Sequence, residues 1–130
     1  MRRTVRLLLI FLLFLRCNSP SPDQIKNGPP SRISKDEPFD RHGELVFTKH
    51  ALCRMDCRHI TTKEIHEVLN NGTINFGKSE PYSRPDPKYA VEGFTAEQQH
   101  LRIIIAPEDA KLIVITCIEL GVEWSCHCNY

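Results

Sequence analysis

Two pairs of cysteines have spacings that would let one segment of the chain be joined to another. Cys53 and Cys57 lie four residues apart, and Cys126 and Cys128 lie two residues apart near the C-terminus. Thiols four residues apart share one face of a helix, with about 5–6 Å between their Cβ atoms. Thiols two residues apart share one side of an extended strand, with roughly 6.6 Å between them. Because these separations match, we expect the tail to lie across the helix and to be joined to it.

Disulfides and a metal ion are two ways in which the pairs could be joined. In an exported protein we expect two disulfides, each linking the first pair to the second, in either order. If the four cysteines are reduced, their thiolates could instead form a tetrahedral zinc site, in which His50 or His127 could replace one ligand. Independent thiols are the third alternative. The sequence therefore predicts either no cofactor or zinc.

Two histidine–arginine pairs form a second candidate site. His50 and Arg54 are four residues apart and share a helix face, whereas His100 and Arg102 share a strand face because strand side chains alternate. Metal-independent RNA cleavage needs a general base, a general acid and cations that stabilise the phosphate charge. Two converging pairs would supply these groups. The competing interpretation is structural: His50 orders the start of the helix by hydrogen bonding, and Arg54 and Arg102 pair with acids such as Asp56 or Glu92.

The charge of the folded part argues against nucleic acid as a partner. The whole chain has a formal net charge of +1, from 17 basic and 16 acidic residues. Residues 1–16 contain four of the arginines and no acid, so the remainder carries 13 basic against 16 acidic residues, a net charge of −3. A mildly acidic protein lacks the field that attracts phosphates, so RNA or DNA binding would require a local basic patch. The sequence identifies no other partner and no oligomeric state.

The N-terminus has the pattern of an export signal. A basic start precedes the unbroken apolar run from Leu7 to Leu15, which spans only about 13 Å as a helix, against about 30 Å for a bilayer core. We therefore predict that residues 1–16 are a signal peptide or a membrane anchor. Cys17 follows and resembles the lipidated cysteine of a bacterial lipoprotein, although Arg16 stands where such signals have a small residue. The predicted location is the cell envelope, with the protein either membrane-anchored or secreted.

The rest of the chain divides into a linker and one domain. Residues 17–43 are rich in proline and serine and show no apolar periodicity, so we predict a disordered tether between membrane and domain. Residues 44–130 are predicted to form a small α+β domain. A core of this size is only modestly stable, and covalent or metal staples would help it.

The predicted domain has two N-terminal helices packed on a four-stranded antiparallel sheet. Thr48 is a candidate cap of the first helix, and Thr61 opens a capping-box pattern at the start of the second, which Gly72 ends. The last strand is apolar on both faces, so we place it inside the sheet. We expect Cys117, within that strand, to be a buried free thiol. The helices are predicted to begin at residues 48 and 61, and the strands to cover residues 73–77, 88–95, 100–106 and 111–119.

A series of short motifs runs through roughly residues 47–120: F-T-K-H-A-L-C-R-M-D-C-R-H-I-T-T-K-E-I, then G-T-I-N, K-Y-A-V-E-G-F, L-R-I-I-I-A-P and L-I-V-I-T-C-I-E-L. Together they resemble a bacterial family named domain of unknown function 4258, whose most specific element is the H-A-x-x-R-M opening. The resemblance implies a fold similar to the small RNase toxins of the RelE and barnase-like group, with helices packed on a curved antiparallel sheet. It implies no established activity, because function does not follow from fold alone. The four paired cysteines look like a feature of an exported branch.

Two hypotheses for the function follow. The first is an exported, membrane-tethered binding or structural module that is stapled by its four cysteines and whose partner is unknown. The second is a metal-independent, RNase-like domain of the toxin type that uses His50, Arg54, His100 and Arg102. The two hypotheses differ in whether these histidines and arginines converge around one open cleft.

Overall fold

The computed structural model describes residues 37–129, in which two helices pack on a five-stranded sheet. The predicted signal or anchor, the candidate lipidation site at Cys17 and the tether up to residue 36 lie outside the described residues. In residues 37–129, no helix is long and apolar enough to cross a membrane. The elements in chain order are β1 (Glu44–Phe47), α1 (Lys49–Arg58), α2 (Thr62–Asn71), β2 (Thr73–Ile74), a 3-10 turn (Phe76–Lys78), β3 (Tyr89–Phe94), β4 (His100–Glu108) and β5 (Lys111–Glu119).

The sheet has one strand more than the four predicted, and it is mixed rather than antiparallel. Its strand order is β1-β5-β4-β3-β2. β1 precedes both helices and pairs in parallel with β5, with Glu44 opposite Lys111, whereas the other neighbouring strands are antiparallel. The sequence pattern misses β1 because four residues are too few to show alternation and because its partner is the last strand of the chain. The prediction that β5 lies inside the sheet is confirmed.

Two strand ends differ from the prediction by more than one residue, whereas β3 is one residue shorter at each end. β2 ends at Ile74 because the carbonyl of Asn75 accepts the Lys78 backbone N–H at 3.1 Å, which turns the chain out of the sheet. β4 continues to Glu108, beyond the predicted end at residue 106. The hairpin to β5 is therefore a two-residue turn, in which Asp109 adopts a φ of 51°. Aspartate tolerates this left-handed conformation better than most residues, and the tight turn holds β4 and β5 in register.

Both helices begin at the predicted caps. The hydroxyl of Thr48 accepts a backbone N–H of the first turn of α1 at 3.0 Å, and Thr61 and Glu64 form a capping box at the start of α2. Gly72 ends α2, as predicted, but with a φ of −76° rather than in the left-handed region. A Cβ at Gly72 would lie 2.5 Å from the carbonyl oxygen of Glu92 in β3. Glycine is needed here because the end of α2 closely approaches the sheet.

The core lies between the two helices and one face of the sheet. Its buried side chains include Ala51 and Met55 of α1, Ile65, Val68 and Leu69 of α2, Val91 of β3, Leu101, Ile103 and Ile105 of β4, and Leu112, Val114 and Cys117 of β5. Val114 and Cys117 are three residues apart, a spacing that strict alternation would place on opposite faces. They share the core face because the register of β5 against β4 shifts by one residue between them. The prediction that Cys117 is a buried free thiol is confirmed.

Residues 37–43, which the sequence pattern assigns to the tether, pack on the domain. Phe39 is buried against Tyr89, with ring centroids 5.2 Å apart. The guanidinium of Arg41 donates hydrogen bonds at 2.6 and 2.8 Å to two backbone carbonyls at the end of α2, which the helix leaves without partners. The predicted boundary at residue 44 therefore lies inside the packed part of the chain. A single aromatic side chain among prolines and polar residues has no periodicity that could reveal this contact.

Candidate functional site

The two cysteine pairs meet, as their spacings predict. Cys53 is bonded to Cys128 and Cys57 to Cys126, with Cα–Cα distances of 5.9 and 5.8 Å. The first cysteine of the helix is bonded to the last cysteine of the tail, so the tail runs antiparallel to α1. The prediction that the tail crosses the first helix is confirmed. The structure also selects the pairing that the sequence left open.

The disulfides determine what these cysteines can do chemically. All four sulfurs are bonded in pairs, so none is a thiolate that could bind zinc. Among residues 37–129, no three histidine, cysteine, aspartate or glutamate side chains are grouped so that they could hold a metal ion. The zinc alternative would therefore require reduction of both disulfides.

The tail is extended and lies over α1, but it does not pair with the sheet. Residues 122–129 form no helix or strand, yet every second side chain from Trp124 to Cys128 faces the domain and is partly buried, while those between are exposed. The indole N–H of Trp124 donates to the carboxylate of Glu119 at 2.8 Å, and its ring meets the His59 ring edge-on at 5.8 Å. This alternation explains how two cysteines separated by one residue reach the same helix.

Basic side chains of α1 lie next to one another on the side that faces the end of β5. The guanidinium of Arg54 lies 3.4 Å from His50 Nε2, so the predicted helical pair is brought together. The guanidinium of Arg58 donates to the carbonyl of Cys117. Burial and the neighbouring charge of Arg54 lower the pKa of Arg58, while burial raises the pKa of the Cys117 thiol to about 11. Arg58 therefore attaches the end of α1 to β5, and Cys117 stays a neutral, poorly nucleophilic thiol at neutral pH.

The second histidine–arginine pair lies in a different environment. His100 stacks on Phe94 of β3, with ring centroids 4.3 Å apart. Arg102 forms an ion pair with Glu92 across the same two strands at 2.5 Å, and the Asn75 side chain donates to the same carboxylate at 3.0 Å. Burial disfavours the Glu92 carboxylate, but these two hydrogen bonds and the nearby charges of Arg102 and His100 together outweigh it and lower the pKa of Glu92. Arg102 therefore forms the ion pair with Glu92 that the structural interpretation predicts.

The two pairs lie on opposite faces of the sheet. Arg102 alternates with the buried Leu101 and Ile103, so it and His100 belong to the face turned away from the helices. His50 and Arg54 belong to α1, which packs on the core face. The structure therefore brings each predicted pair together but does not bring the two pairs to one cleft.

The sheet face that α1 and α2 leave uncovered carries an apolar patch beside the Arg102–Glu92 pair, a feature that the sequence analysis did not treat as a site. The side chains of this patch are partly exposed; they are Ile104 of β4 and Ile113, Ile115 and Ile118 of β5. We call these four residues the isoleucine face. A solvated face of an antiparallel sheet normally carries polar side chains, so a row of isoleucines indicates a contact surface. The sequence of β5 could have indicated this surface, because the strand is apolar on both faces. The two helices of residues 37–129 cover only one of them.

One end of the isoleucine face deepens into a groove of about 240 Å³. Ala106, Ile113 and Ile115 form its floor, and the loop from Arg84 to Lys88 forms a wall. The rim carries side chains of both signs: Arg84, Asp86, Lys88 and Glu108. An apolar floor with a charged rim has the composition of a protein-binding surface rather than of a phosphate-binding cleft.

Comparison with known families gives a match to the domain of unknown function DUF4258, over residues 47–119 and thus more than half of the chain. The chain belongs to this family. No curated protein and no solved structure matches it. The likeness to RelE and barnase-like toxins therefore stays a prediction, and the family itself assigns no activity.

The DUF4258 segment contains α1 and most of the sheet, with both histidine–arginine pairs and the isoleucine face. It also contains Cys53 and Cys57. It ends at residue 119, before Cys126 and Cys128. The tail therefore lies beyond the matched segment, and the two disulfides join it to that segment.

The Arg102–Glu92 pair yields a prediction about stability and pH. We expect Arg102→Leu to lower the free energy of unfolding by about 1–3 kcal/mol at pH 7, because a partly buried carboxylate loses a charged hydrogen bond. The folded-state pKa of Glu92 lies below its ordinary value of 4.5, so the pair stabilises fully above that pH and its contribution is lost as the pH falls through the lower folded value. Urea unfolding at pH 7 and at acidic pH measures both effects.

The matched control is Lys63→Leu, which removes the Lys63–Glu67 ion pair, whose lysine side chain is 82% exposed. We expect it to change stability by less than about 0.5 kcal/mol at either pH. An equal loss in both variants, or a loss at Arg102 that does not shrink at acidic pH, would contradict a stabilising role of the Arg102–Glu92 pair.

Proposed function

We propose that this DUF4258 protein is an exported, non-enzymatic binding module that presents the isoleucine face to a protein partner. Residues 1–16 would direct its export, and the N-terminal segment would hold it at the membrane or be removed. The partner would be a protein with an apolar contact surface, since the face offers branched aliphatic side chains and few charges. The single observation that carries the proposal is an apolar patch on the sheet face that neither helix of residues 37–129 covers.

Several features support an extracytoplasmic location. Disulfides form and persist in oxidising compartments and are rare in the cytosol. The two bonds from α1 to the tail fit such a compartment. The basic start and short apolar run at the N-terminus have the pattern of a secretory signal.

The isoleucine face supports binding rather than catalysis. Its four isoleucines carry no nucleophile, general acid or general base. Phe94, 62% exposed, adds an aromatic ring beside the face, and the groove at the other end adds polar side chains at its rim. Protein interfaces combine an apolar centre with a polar rim in this way.

Site-specific photocrosslinking tests this proposal. A photoreactive phenylalanine analogue at Ile115, in the full chain expressed in its native host, is expected to give a discrete crosslinked species with a partner protein, because the side chain points into the contact. The same analogue at Leu52, which is 52% exposed on α1, is the control and is expected to give none. Introducing Ile104→Lys in the same chain is expected to abolish the adduct at Ile115, since a charge would enter the contact centre.

Equal adducts at Ile115 and Leu52 would contradict a specific contact at the isoleucine face. So would an Ile115 adduct that persists in the Ile104→Lys background. Absence of any adduct at Ile115 would exclude this face as the binding surface under the conditions of the experiment.

The RNase-like alternative is favoured by one observation, the contact of His50 with Arg54 on α1. A base and a cation side by side are part of what RNA cleavage needs. The other pair lies on the opposite sheet face, and the charge of Arg102 is neutralised by Glu92. The net charge of −3 outside residues 1–16 also gives RNA little attraction. These features support the binding module over the enzyme.

An RNA cleavage assay compares the two hypotheses directly. We expect the purified protein and its His50→Ala variant to cleave mixed-sequence RNA at the same background rate in the presence of a chelator. If His50 were a general acid or base, its removal would lower the rate by about 10²–10⁴-fold. Metal-independent cleavage by the wild-type protein that is lost in His50→Ala would establish the enzyme.

A further inference from the structure

The two disulfides join the same two segments of the chain. Both begin on α1 and both end in the tail, and they close loops of 75 and 69 residues. Neither bond connects two parts of the hydrophobic core. The core residues with the highest numbers lie in β5, where Cys117 is the last member of the cluster. The tail therefore lies outside the part of the protein that burial holds together.

Few other contacts fix the tail. Among the described residues, the backbone of residues 122–129 makes no hydrogen bond to the rest of the domain; its one backbone bond joins Cys126 to Trp124 within the tail. Apart from the disulfides, the hydrogen bond and ring contact of its described side chains are the bond from Trp124 to Glu119 and the contact of the Trp124 ring with His59. One hydrogen bond and one ring contact are small compared with the entropy of ordering nine residues.

We propose that residues 121–129 form a redox-releasable strap: reduction of both disulfides frees these residues from α1 while the domain beneath stays folded. The proposal does not depend on the isoleucine face, which lies on the other side of the sheet. It goes beyond a stapling role, because the bonds would control access to the sulfur-bearing side of α1 rather than hold the core together.

The release needs an external reductant of the dithiol class. A thiolate of the dithiol attacks one sulfur of the Cys57–Cys126 bond, which breaks as a mixed disulfide forms. The second thiol of the reductant then attacks the mixed disulfide, and the reductant leaves as a disulfide. Each bond takes up two electrons and two protons, so two equivalents of dithiol convert both bonds to four cysteine thiols.

Two entropic effects explain why the domain would survive reduction. Opening the loops returns freedom to the unfolded chain, which lowers stability. Releasing the strap also returns freedom to nine residues of the folded chain, which opposes that loss. We therefore expect the reduced protein to melt at a lower temperature but to remain folded at room temperature.

Two side chains report separately on the strap and on the domain beneath it. Trp124 is the only tryptophan, and it lies in the strap. Cys117 is a completely buried thiol in the core, and its reactivity reports on the domain. Strap release should change the first reporter and leave the second unchanged.

The experiment reduces the full chain with dithiothreitol in a chelating buffer and follows both reporters. The acrylamide quenching constant of Trp124 should rise at least about twofold, because a partly buried indole becomes solvated. Under the same conditions the four strap and helix cysteines should be alkylated, while Cys117 reacts at least about tenfold more slowly, as peptide mass mapping would measure. Far-UV circular dichroism should change little.

Two variants separate release of the strap from loss of the fold. The variant in which all four paired cysteines are replaced by serine should show the reduced behaviour without reductant. Cys53→Ser/Cys128→Ser keeps the bond nearest Trp124 and should behave as oxidised until reductant is added. Unchanged quenching on reduction would overturn the proposal, since the strap would then be held by its other contacts. Rapid alkylation of Cys117, or an unfolded quadruple variant, would also overturn it, since the bonds would then hold the domain itself.

Discussion

The alternation of side chains along β4 and β5 is the constraint on which the rest of the structure depends. Each strand sends one row of side chains to the helices and the other row to the opposite face. The register shift in β5 keeps Val114 and Cys117 together on the covered face although three residues separate them. A single hydrophobic core results, closed by α1 and α2 and by Phe39 from the N-terminal segment. A one-residue shift in strand register would exchange the two rows of side chains and so expose the core residues.

The same alternation decides which functional arrangements are possible. It places Arg102 opposite Glu92 on the uncovered face and leaves the helical pair on the covered side, so the two histidine–arginine pairs do not share one face of the sheet. It also leaves four isoleucines on the face that α1 and α2 do not cover, which is the basis of the proposed binding role. The core cluster ends at Cys117, and two disulfides join the tail beyond residue 119 to α1.

Local features were predictable from the sequence because short-range chemistry determines them. The caps at Thr48 and Thr61, the interior position of β5 and the meeting of the cysteine pairs all follow from spacing and periodicity. Features that depend on distant parts of the chain were not predictable. β1 is too short to show a pattern and pairs with the last strand, and Phe39 is one aromatic side chain among prolines. The separation of the two histidine–arginine pairs required knowing which sheet face the helices cover.

Two adjacent isoleucines of β4 allow the most direct test of a one-sided core, that is, a core that lies on only one face of the sheet. Ile103 is fully buried beneath the helices, and Ile104 lies on the isoleucine face. Urea unfolding should find no folded population for Ile103→Lys, because burying an unpaired charge costs about as much as a domain's total stability. It should find a cooperative transition for Ile104→Lys, weakened by about 1–2 kcal/mol, since the lysine can extend into water. Loss of folding in both variants, or a folded Ile103→Lys with an unfolded Ile104→Lys, would contradict the one-sided core.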